Sequence, residues 1–419
     1  MPGGYIGVDV FFVISGFLIT AHIVREVETT GRLRIAQFWA RRARRLLPAS
    51  LLTLLATAIG VAALAPESLW RQFYGEIVAA TLYVQNWRLA SDAVDYLGAE
   101  NSPSPVQHYW TLSTEEQFYV ALPLVVLACV VIARRLGKRP RRVVLVALVL
   151  LGAASFIYSA SLTTSSPGTA YFSTLTRGWE FAAGGLLALL ASTRSARWNG
   201  TLAAVGVAGI TAAAVLLDSS TAFPGYAAVL PVVGSLLAIA HGERTSLSRV
   251  GAWSPVALVG RLSFGIYLWH FPLIVLLPYA TGRDLGTIDK IGIAGTSLLL
   301  AYLSTRFVED PVRFSPRLLA RRRPAVVAAF SILGMVVVAG LGATGLAVEN
   351  RQTERAGQLA KQILAGTPDC LGAQARDPHA SPCENPDLDG VLLPDPATRV
   401  KDDANRAECW FTGSSQSRV

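Results

Sequence analysis

Apolar residues in this chain come in runs of about 20, separated by short loops where arginine is concentrated. That spacing constrains the fold more than any other feature. A helix needs about 20 apolar residues to cross the hydrocarbon layer, and inside lipid each backbone polar group must be bonded within its own segment. The runs lie at 5–24, 46–65, 115–133, 142–160, 171–191, 199–217, 225–241, 256–279, 289–307 and 325–347. Charged residues are 16% of the chain, against about 25% in soluble domains. The expected fold is an all-α polytopic membrane protein with about ten transmembrane helices visible, and the lipid bilayer is its first partner. The opening run does not read as a secretory signal: it lacks a basic lead-in, carries Asp9, and is followed by further spans. The net charge of +9 does not imply nucleic acid, because the arginines sit at span ends, where the positive-inside rule accounts for them.

Loop charge also sets an expected orientation. The basic loops are 25–45, 133–142, 192–198, 241–249 and 309–324, whereas 161–170 and 218–225 are nearly free of Lys and Arg. One amphipathic stretch, 70–90, carries Arg71, Glu76 and Arg88. If it does not cross, all five basic loops fall on one side, which is the cytoplasmic one by the Lys/Arg excess. It is therefore read as interfacial or re-entrant, on the outer side. The chain then divides into a membrane domain (1–315), a last span with a basic inner flank (316–347) and a polar, irregular extracytoplasmic tail (348–419). The protein is expected in the cell membrane as a multi-pass chain. The tail holds Cys370, Cys383 and Cys409, and a Cys370–Cys383 bridge would close a short polar loop and leave Cys409 over. Cys129 lies within a span as a small core residue. No metal-type CxxC or HExxH pattern occurs.

Charged side chains at a helix centre cost about 2.5–3.5 kcal/mol on insertion scales, so each needs a partner or a function. Four stretches stand out. GVDVFFVISGF (7–17) places Asp9, Ser15 and Gly16 in an apolar helix, where Asp9 either faces an internal cavity or caps the helix start. FWARRARRLLPA (38–49) carries Arg41, Arg42, Arg44 and Arg45 around all sides of a turn. They fix topology, and guanidinium groups also suit the phosphates of a nucleotide-like donor. HYWTLSTEEQFYVALPLV (108–125) sets His108, Thr111 and Glu115 at i, i+3, i+7, on one helix face. A histidine near a carboxylate is acid–base equipment, while an outer cap within an aromatic belt is the plainer alternative. GRLSFGIYLWHFPLI (260–274) holds Tyr267, Trp269 and His270 beside Pro272, and His270 is either a packing residue or part of a site.

Together with STRFVEDPVRF (304–314), these stretches resemble the acyltransferase 3 family, in that family's order and at similar spacing over about 1–315. The resemblance implies an integral membrane enzyme moving an acyl group, usually acetyl, onto a carbohydrate of the cell envelope such as lipopolysaccharide O-antigen, peptidoglycan or exopolysaccharide. Acyl-CoA would be the donor on the cytoplasmic side, with no permanently bound cofactor and no metal. It also implies roles at matching positions. His108, Glu115 and Asp9 become catalytic candidates; Arg41, Arg42, Arg45, Trp110, Gln117, Tyr267 and His270 become substrate-binding candidates. Thr111 stands where the family usually has serine, which keeps the hydroxyl. Family members normally begin with one more span, carrying an arginine and a histidine central to transfer, ahead of the GG-x-x-GVD motif. Many continue after the last span into an extracytoplasmic SGNH-type domain. Both segments are expected to be missing here, which would leave the chain impaired.

In the expected mechanism, basic residues at the inner ends hold the phosphates of acyl-CoA while the thioester reaches into the bundle. A histidine acts as general base on a sugar hydroxyl or relays the acyl group, with Asp9, His108 and Glu115 positioning the acceptor or tuning that base. The competing reading is a non-enzymatic membrane transporter or glycan-binding protein, since polar residues in spans also mark substrate pathways.

Overall fold

A computed structural model describes residues 3–93, 103–190, 199–218, 220–243, 245–315, 318–319 and 322–365. Among them every regular element is helical. In chain order they are α1 (Gly7–Thr30), α2 (Ile35–Leu64), α3 (Trp70–Thr81), α4 (Gln85–Asp92), α5 (Tyr109–Arg135), α6 (Pro140–Ser165), α7 (Pro167–Phe172), α8 (Thr174–Leu190), α9 (Asn199–Leu216), α10 (Val229–His241), α11 (Ser246–Ala252), α12 (Ser254–Thr281), α13 (Thr287–Ser304), α14 (Asp310–Phe314) and α15 (Pro324–Ala365). A π-helical turn, Thr305–Glu309, joins α13 to α14. Each of the ten apolar runs coincides with one of these helices. Seven stretches are long and apolar enough to cross a membrane: Gly4–Thr30, Ile35–Leu64, Tyr109–Arg135, Pro140–Ser165, Ser254–Thr281, Thr287–Phe314 and Pro324–Arg355. The other three, α8, α9 and α10, have 17, 18 and 13 residues. At 1.5 Å per residue, α10 reaches only about 20 Å.

The amphipathic stretch 70–90 breaks into α3 and α4, of 12 and 8 residues, each too short to cross. The break falls at Tyr83, whose φ of 57° lies in the left-handed region that bulky side chains rarely enter. The Gln117 amide donates to the Tyr83 carbonyl at 2.8 Å and ties the break to α5. Phe73, Tyr74, Ile77 and Ala80 turn inward and pack with Leu54, Ala58 and Val61 of α2 and Val338 of α15.

Three of the basic loops meet at one end of the bundle. Arg141 pairs with Glu28 at 3.2 Å, Arg134 donates to the Gly31 carbonyl at 2.6 Å, and Arg44 donates to the Leu319 carbonyl at 3.1 Å. This is the arrangement that loop charge implied if 70–90 does not cross. The last helix differs from expectation. Helix α15 runs 42 residues to Ala365, so 348–365 is helical rather than irregular. The segment ENRQTERAGQLAKQIL is rich in Glu, Arg, Gln, Ala and Leu, all good helix formers. The proposed Cys370–Cys383 bridge, and Cys409, lie outside the described residues. Cys129 is a buried free thiol in α5.

Helices α1 and α8 touch backbone to backbone. A Cβ on Gly16 would fall inside the Phe181 carbonyl, and one on Gly184 inside the Val13 carbonyl. Small residues permit this approach, and in lipid such van der Waals packing is a main driving force for helix association. Gly16→Ala should therefore cost roughly 1–3 kcal/mol by overpacking. Gly292→Ala, on α13, would meet nothing within 4 Å and should be neutral or slightly stabilising. Thermal melting of the two variants in detergent checks the contrast; equal melting points would mean that the α1–α8 contact is not tight.

Candidate active site

Three clusters of polar side chains inside the bundle hold the candidates Asp9, Glu115 and His108. The first sits where α1 meets α8. Arg177 Nη1 lies 2.8 Å from Asp9 Oδ1 and 3.1 Å from Glu180 Oε1, with all three side chains at most 1% exposed. Arg177 Nε and Nη2 donate to the Tyr171 carbonyl at 3.3 and 3.2 Å. Its guanidinium lies 5.6, 5.2 and 5.1 Å from the rings of Trp110, Tyr171 and Phe223, within cation–π range. Two carboxylates surround one guanidinium, and Asp9 Oδ2 and Glu180 Oε2 have no hydrogen-bond partner among the described residues. Asp9 therefore faces the interior; it does not merely cap the helix start.

The second cluster centres on Glu115, which is 2% exposed. Its Oε1 accepts from Ser15 Oγ at 2.7 Å and from Arg42 Nη2 at 3.5 Å. Tyr119 donates to Ser15 Oγ at 3.0 Å, and the Arg42 guanidinium lies 3.7 Å from the Tyr119 ring centre. Arg42 Nε and the neighbouring Glu116 Oε1 have no hydrogen-bond partner among the described residues. A guanidinium from the basic start of α2 thus meets a carboxylate of α5 inside the bundle, where low dielectric strengthens their attraction.

The third cluster surrounds His108. Its Nε2 lies 3.2 Å from the Leu268 carbonyl, so Nε2 carries the proton and donates. In the neutral ring Nδ1 is then an acceptor, and it is buried without a partner among the described residues. Tyr267 donates to the His108 carbonyl at 2.7 Å and lies 2.5 Å from Thr111 Oγ1. The His270 ring centre is 5.6 Å from that of His108. His270 Nδ1 sits 2.7 Å from the Tyr267 carbonyl and 3.2 Å from that of Ile266, so Nδ1 donates and Nε2 is left as acceptor. Two imidazoles thus stand close together, each with one ring nitrogen fixed on a backbone carbonyl.

The remaining candidates fall in different places. Gln117 donates to Tyr83 O and Asn86 Oδ1 and accepts from Trp87 Nε1 and Thr174 Oγ1, so its amide is spent within the protein. Trp110 packs edge-on to Phe12 and Phe172 and against Tyr171. Arg41 lies at the surface, 3.6 Å from Glu26 and 3.1 Å from His22 Nε2. Arg45 lines a polar pocket of about 370 Å³ together with Arg261, Arg313 and the π-helical turn. The three arginines therefore serve three environments. Sequence reasoning missed Arg177 and Glu180, although two charges at i, i+3 within the apolar run 171–191 were a usable signal. It also missed Tyr119, although its place four residues after Glu115 continues the face of His108, Thr111 and Glu115. No group of three or more metal-ligating side chains that could hold an ion occurs among the described residues.

Comparison with known proteins adds an independent finding. The family described as "Acyltransferase domain" matches residues 2–308. The peptidoglycan O-acetyltransferase OatA of Listeria monocytogenes is 30% identical over 336 residues, 74% of this chain and 51% of its own length. The putative peptidoglycan O-acetyltransferase YrhL of Bacillus subtilis is 28% identical over 404 residues, 88% of this chain and 62% of its own. The O-acetyltransferase OatA of Staphylococcus aureus is 31% identical over 331 residues, 75% of this chain and 53% of its own. The chain thus spans between about half and three fifths of the length of these relatives. No solved structure matches it.

Two outcomes follow from the geometry. Arg177→Met would strand two buried carboxylates, and breaking a buried pair in this way costs about 3–5 kcal/mol. A melting temperature near that of the parent would contradict the triad. Glu76, on the non-crossing α3, accepts from Gln72 Nε2 at 3.1 Å, from Gln85 Nε2 at 2.5 Å and from Ser104. Burial pushes its carboxyl above the usual range, and these donors offset that only in part. With the folded-state value raised, the Glu76 contribution is fully present below about pH 4.3, the unfolded value. It is lost as pH rises through the folded value. Glu76→Gln should flatten that decline when stability is measured against pH; parallel curves would exclude the effect.

Proposed function

The chain belongs to this acyltransferase family, and from that membership we propose that it transfers an acetyl group from acyl-CoA to a hydroxyl of a cell-envelope carbohydrate. Three relatives are named as O-acetyltransferases, two of them for peptidoglycan, which favours a peptidoglycan hydroxyl as acceptor. The observation that carries the reading is the buried face of α5. It presents His108, with Nδ1 free to accept, and Glu115, bonded to Ser15 and Arg42, along one line through the bundle.

In the proposed reaction the acceptor hydroxyl oxygen attacks the thioester carbonyl carbon. A C–O bond forms and the C–S bond breaks. The hydroxyl proton passes to His108 Nδ1 and from there to the departing thiolate, so no cofactor is consumed. His108 Nε2, bonded to the Leu268 carbonyl, fixes the ring in the tautomer that can accept at Nδ1. Glu115 fixes Arg42 and Ser15 and through them keeps α1, α2 and α5 in register. The triad of Asp9, Arg177 and Glu180 sits beneath Trp110 and Tyr171 and positions that aromatic surface for the acceptor. Tyr267 and His270 orient His108. The donor approaches from the end where the basic loops meet, which the positive-inside rule makes cytoplasmic. The tail that follows α15 would then be extracytoplasmic.

The test is transfer by the purified chain in proteoliposomes, with radiolabelled acetyl-CoA and a soluble peptidoglycan fragment. His108→Ala should lower turnover by about 10²–10⁴-fold, the usual share of general acid–base catalysis. Glu115→Gln should lower it and also lower the melting temperature, since it leaves the inward-turned Arg42 guanidinium without its carboxylate. Wild-type turnover in His108→Ala would remove His108 from the reaction. Donor-independent flux across the vesicle, with no labelled acceptor, would favour a transporter.

A further inference from the structure

The contact between α1 and α8 buries one more acidic group than basic. Asp9 on α1 and Glu180 on α8 both bond to a single atom, Arg177 Nη1, at 2.8 and 3.1 Å. All three side chains are shut off from solvent. Arg177 spends its other nitrogens on the Tyr171 carbonyl. Asp9 Oδ2 and Glu180 Oε2 then meet no donor among the described residues. The other groups facing the pair do not change the count. Tyr171 of α7 and Tyr5, just ahead of α1, are phenols, and the Tyr5 hydroxyl donates to the Asp218 carbonyl at 3.1 Å. Trp110 of α5 and Phe223 bring aromatic faces. Among the described residues no charged group of α5 or α10 pairs with either carboxyl.

Two carboxyl groups can hydrogen-bond to each other only when one of them carries a proton. The Asp9 and Glu180 side chains lie within that reach of each other. If both were ionised, they would repel at close range, where low dielectric magnifies the repulsion. The surplus charge would also be cut off from water. Two carboxylates in one site avoid this by holding a proton between them. A metal ion is a poorer answer. Calcium takes about six to eight oxygen ligands and magnesium about six. Here the unpartnered oxygens of the pair are Asp9 Oδ2 and Glu180 Oε2, and no group of three or more metal-ligating side chains that could hold an ion occurs among the described residues.

We propose that Asp9 and Glu180 form a proton-binding site, in which one proton bridges Asp9 Oδ2 and Glu180 Oε2 and leaves the triad with Arg177 electrically neutral. The site lies about two turns from Gly16 along α1 and about one turn from Gly184 along α8, where the two backbones touch. The proton is therefore a partner in that contact. Binding it lets α1 and α8 close, and losing it places an unbalanced charge between them. Arg177 also faces the Trp110 and Tyr171 rings, so the same proton sets that aromatic surface. This holds whether or not the chain transfers acetyl groups.

The experiment is infrared difference spectroscopy of the purified chain and its variants in nanodiscs, with thermal melting of the same samples. A protonated carboxyl gives a carbonyl stretch apart from the bands of an ionised carboxylate. At neutral pH one such band of the parent should be lost in Asp9→Asn and equally in Glu180→Gln, because the shared proton needs both groups. Glu28→Gln, which removes an exposed carboxylate paired with Arg141, should keep it. Glu180→Gln matches the neutral triad charge for charge, so its melting point at neutral pH should stay within a few degrees of the parent's. Raising the pH should lower the parent's melting point more steeply than that of Glu180→Gln, as linkage requires of a proton bound by the folded state and released on unfolding. A band lost in only one of the two variants would mean an isolated acid and overturn the sharing. No band lost in either would overturn the site, and a higher melting point in Glu180→Gln would show why: two ionised carboxylates. A melting point raised by sodium chloride over choline chloride in the parent, and not in the variants, would give the two oxygens to a cation and overturn the proton. If neither variant folds, the parent decides. A protonated-carboxyl band that converts to carboxylate over the pH range in which the melting point falls supports the site, and absence of any such band overturns it.

Discussion

The ion triad of Arg177, Asp9 and Glu180 is the interaction on which the bundle's arrangement depends. Each charge would cost about 2.5–3.5 kcal/mol at a helix centre if left alone. Only mutual pairing makes their burial tolerable, and pairing demands that α1 and α8 approach closely. Gly16 and Gly184 permit that approach by presenting backbone where a side chain would collide. The same geometry carries Ser15, one residue before Gly16, to Glu115 of α5. It also aims Arg177 at Trp110 and Tyr171. Charge, close packing and the aromatic surface are therefore one structural decision.

Helix α5 carries that decision along the bundle. Its buried face holds His108, Thr111 and Glu115, which between them meet three other helices. His108 and Thr111 meet α12 through Leu268 and Tyr267; Glu115 meets α1 through Ser15 and α2 through Arg42. Gln117 pins the break between α3 and α4 to the same helix. Residues of α1, α2, α4, α8 and α12 thus converge on α5. Substituting one of them should disturb several contacts, so a stability measurement has to accompany each activity measurement.

Much of this was legible beforehand, and the reasons are local. A run of apolar residues long enough to span lipid is a property of consecutive residues, so the positions of ten helices could be read directly. The orientation logic of the basic loops depends only on counting, and Arg134, Arg141 and Arg44 do meet at one end. The spacing of His108, Thr111 and Glu115 put them on one face because a helix has 3.6 residues per turn. Less legible were the fates of similar residues. Arg41, Arg42 and Arg45 read alike, yet one lies on the surface, one is inside the bundle and one is in a pocket. Gln117 read as a ligand for substrate and is instead saturated by Tyr83, Asn86, Trp87 and Thr174.

The sequence by itself determined that this chain is a helical membrane protein and where its helices lie. It also placed histidine, carboxylates and arginines within or beside apolar runs, where such groups need a partner or a function. Those properties follow from hydrophobicity and periodicity within one segment. Tertiary structure decided the partners: Arg177 with Asp9, 168 residues apart; Ser15 with Glu115, 100 apart; and Arg45 beside Arg261 and Arg313. It also decided that α15 continues to Ala365 and that Tyr83 breaks the amphipathic stretch. The physical reason is that pairing in a low-dielectric interior depends on distances between helices. Those distances are set by which small residues let two backbones touch, and no single stretch of sequence encodes them.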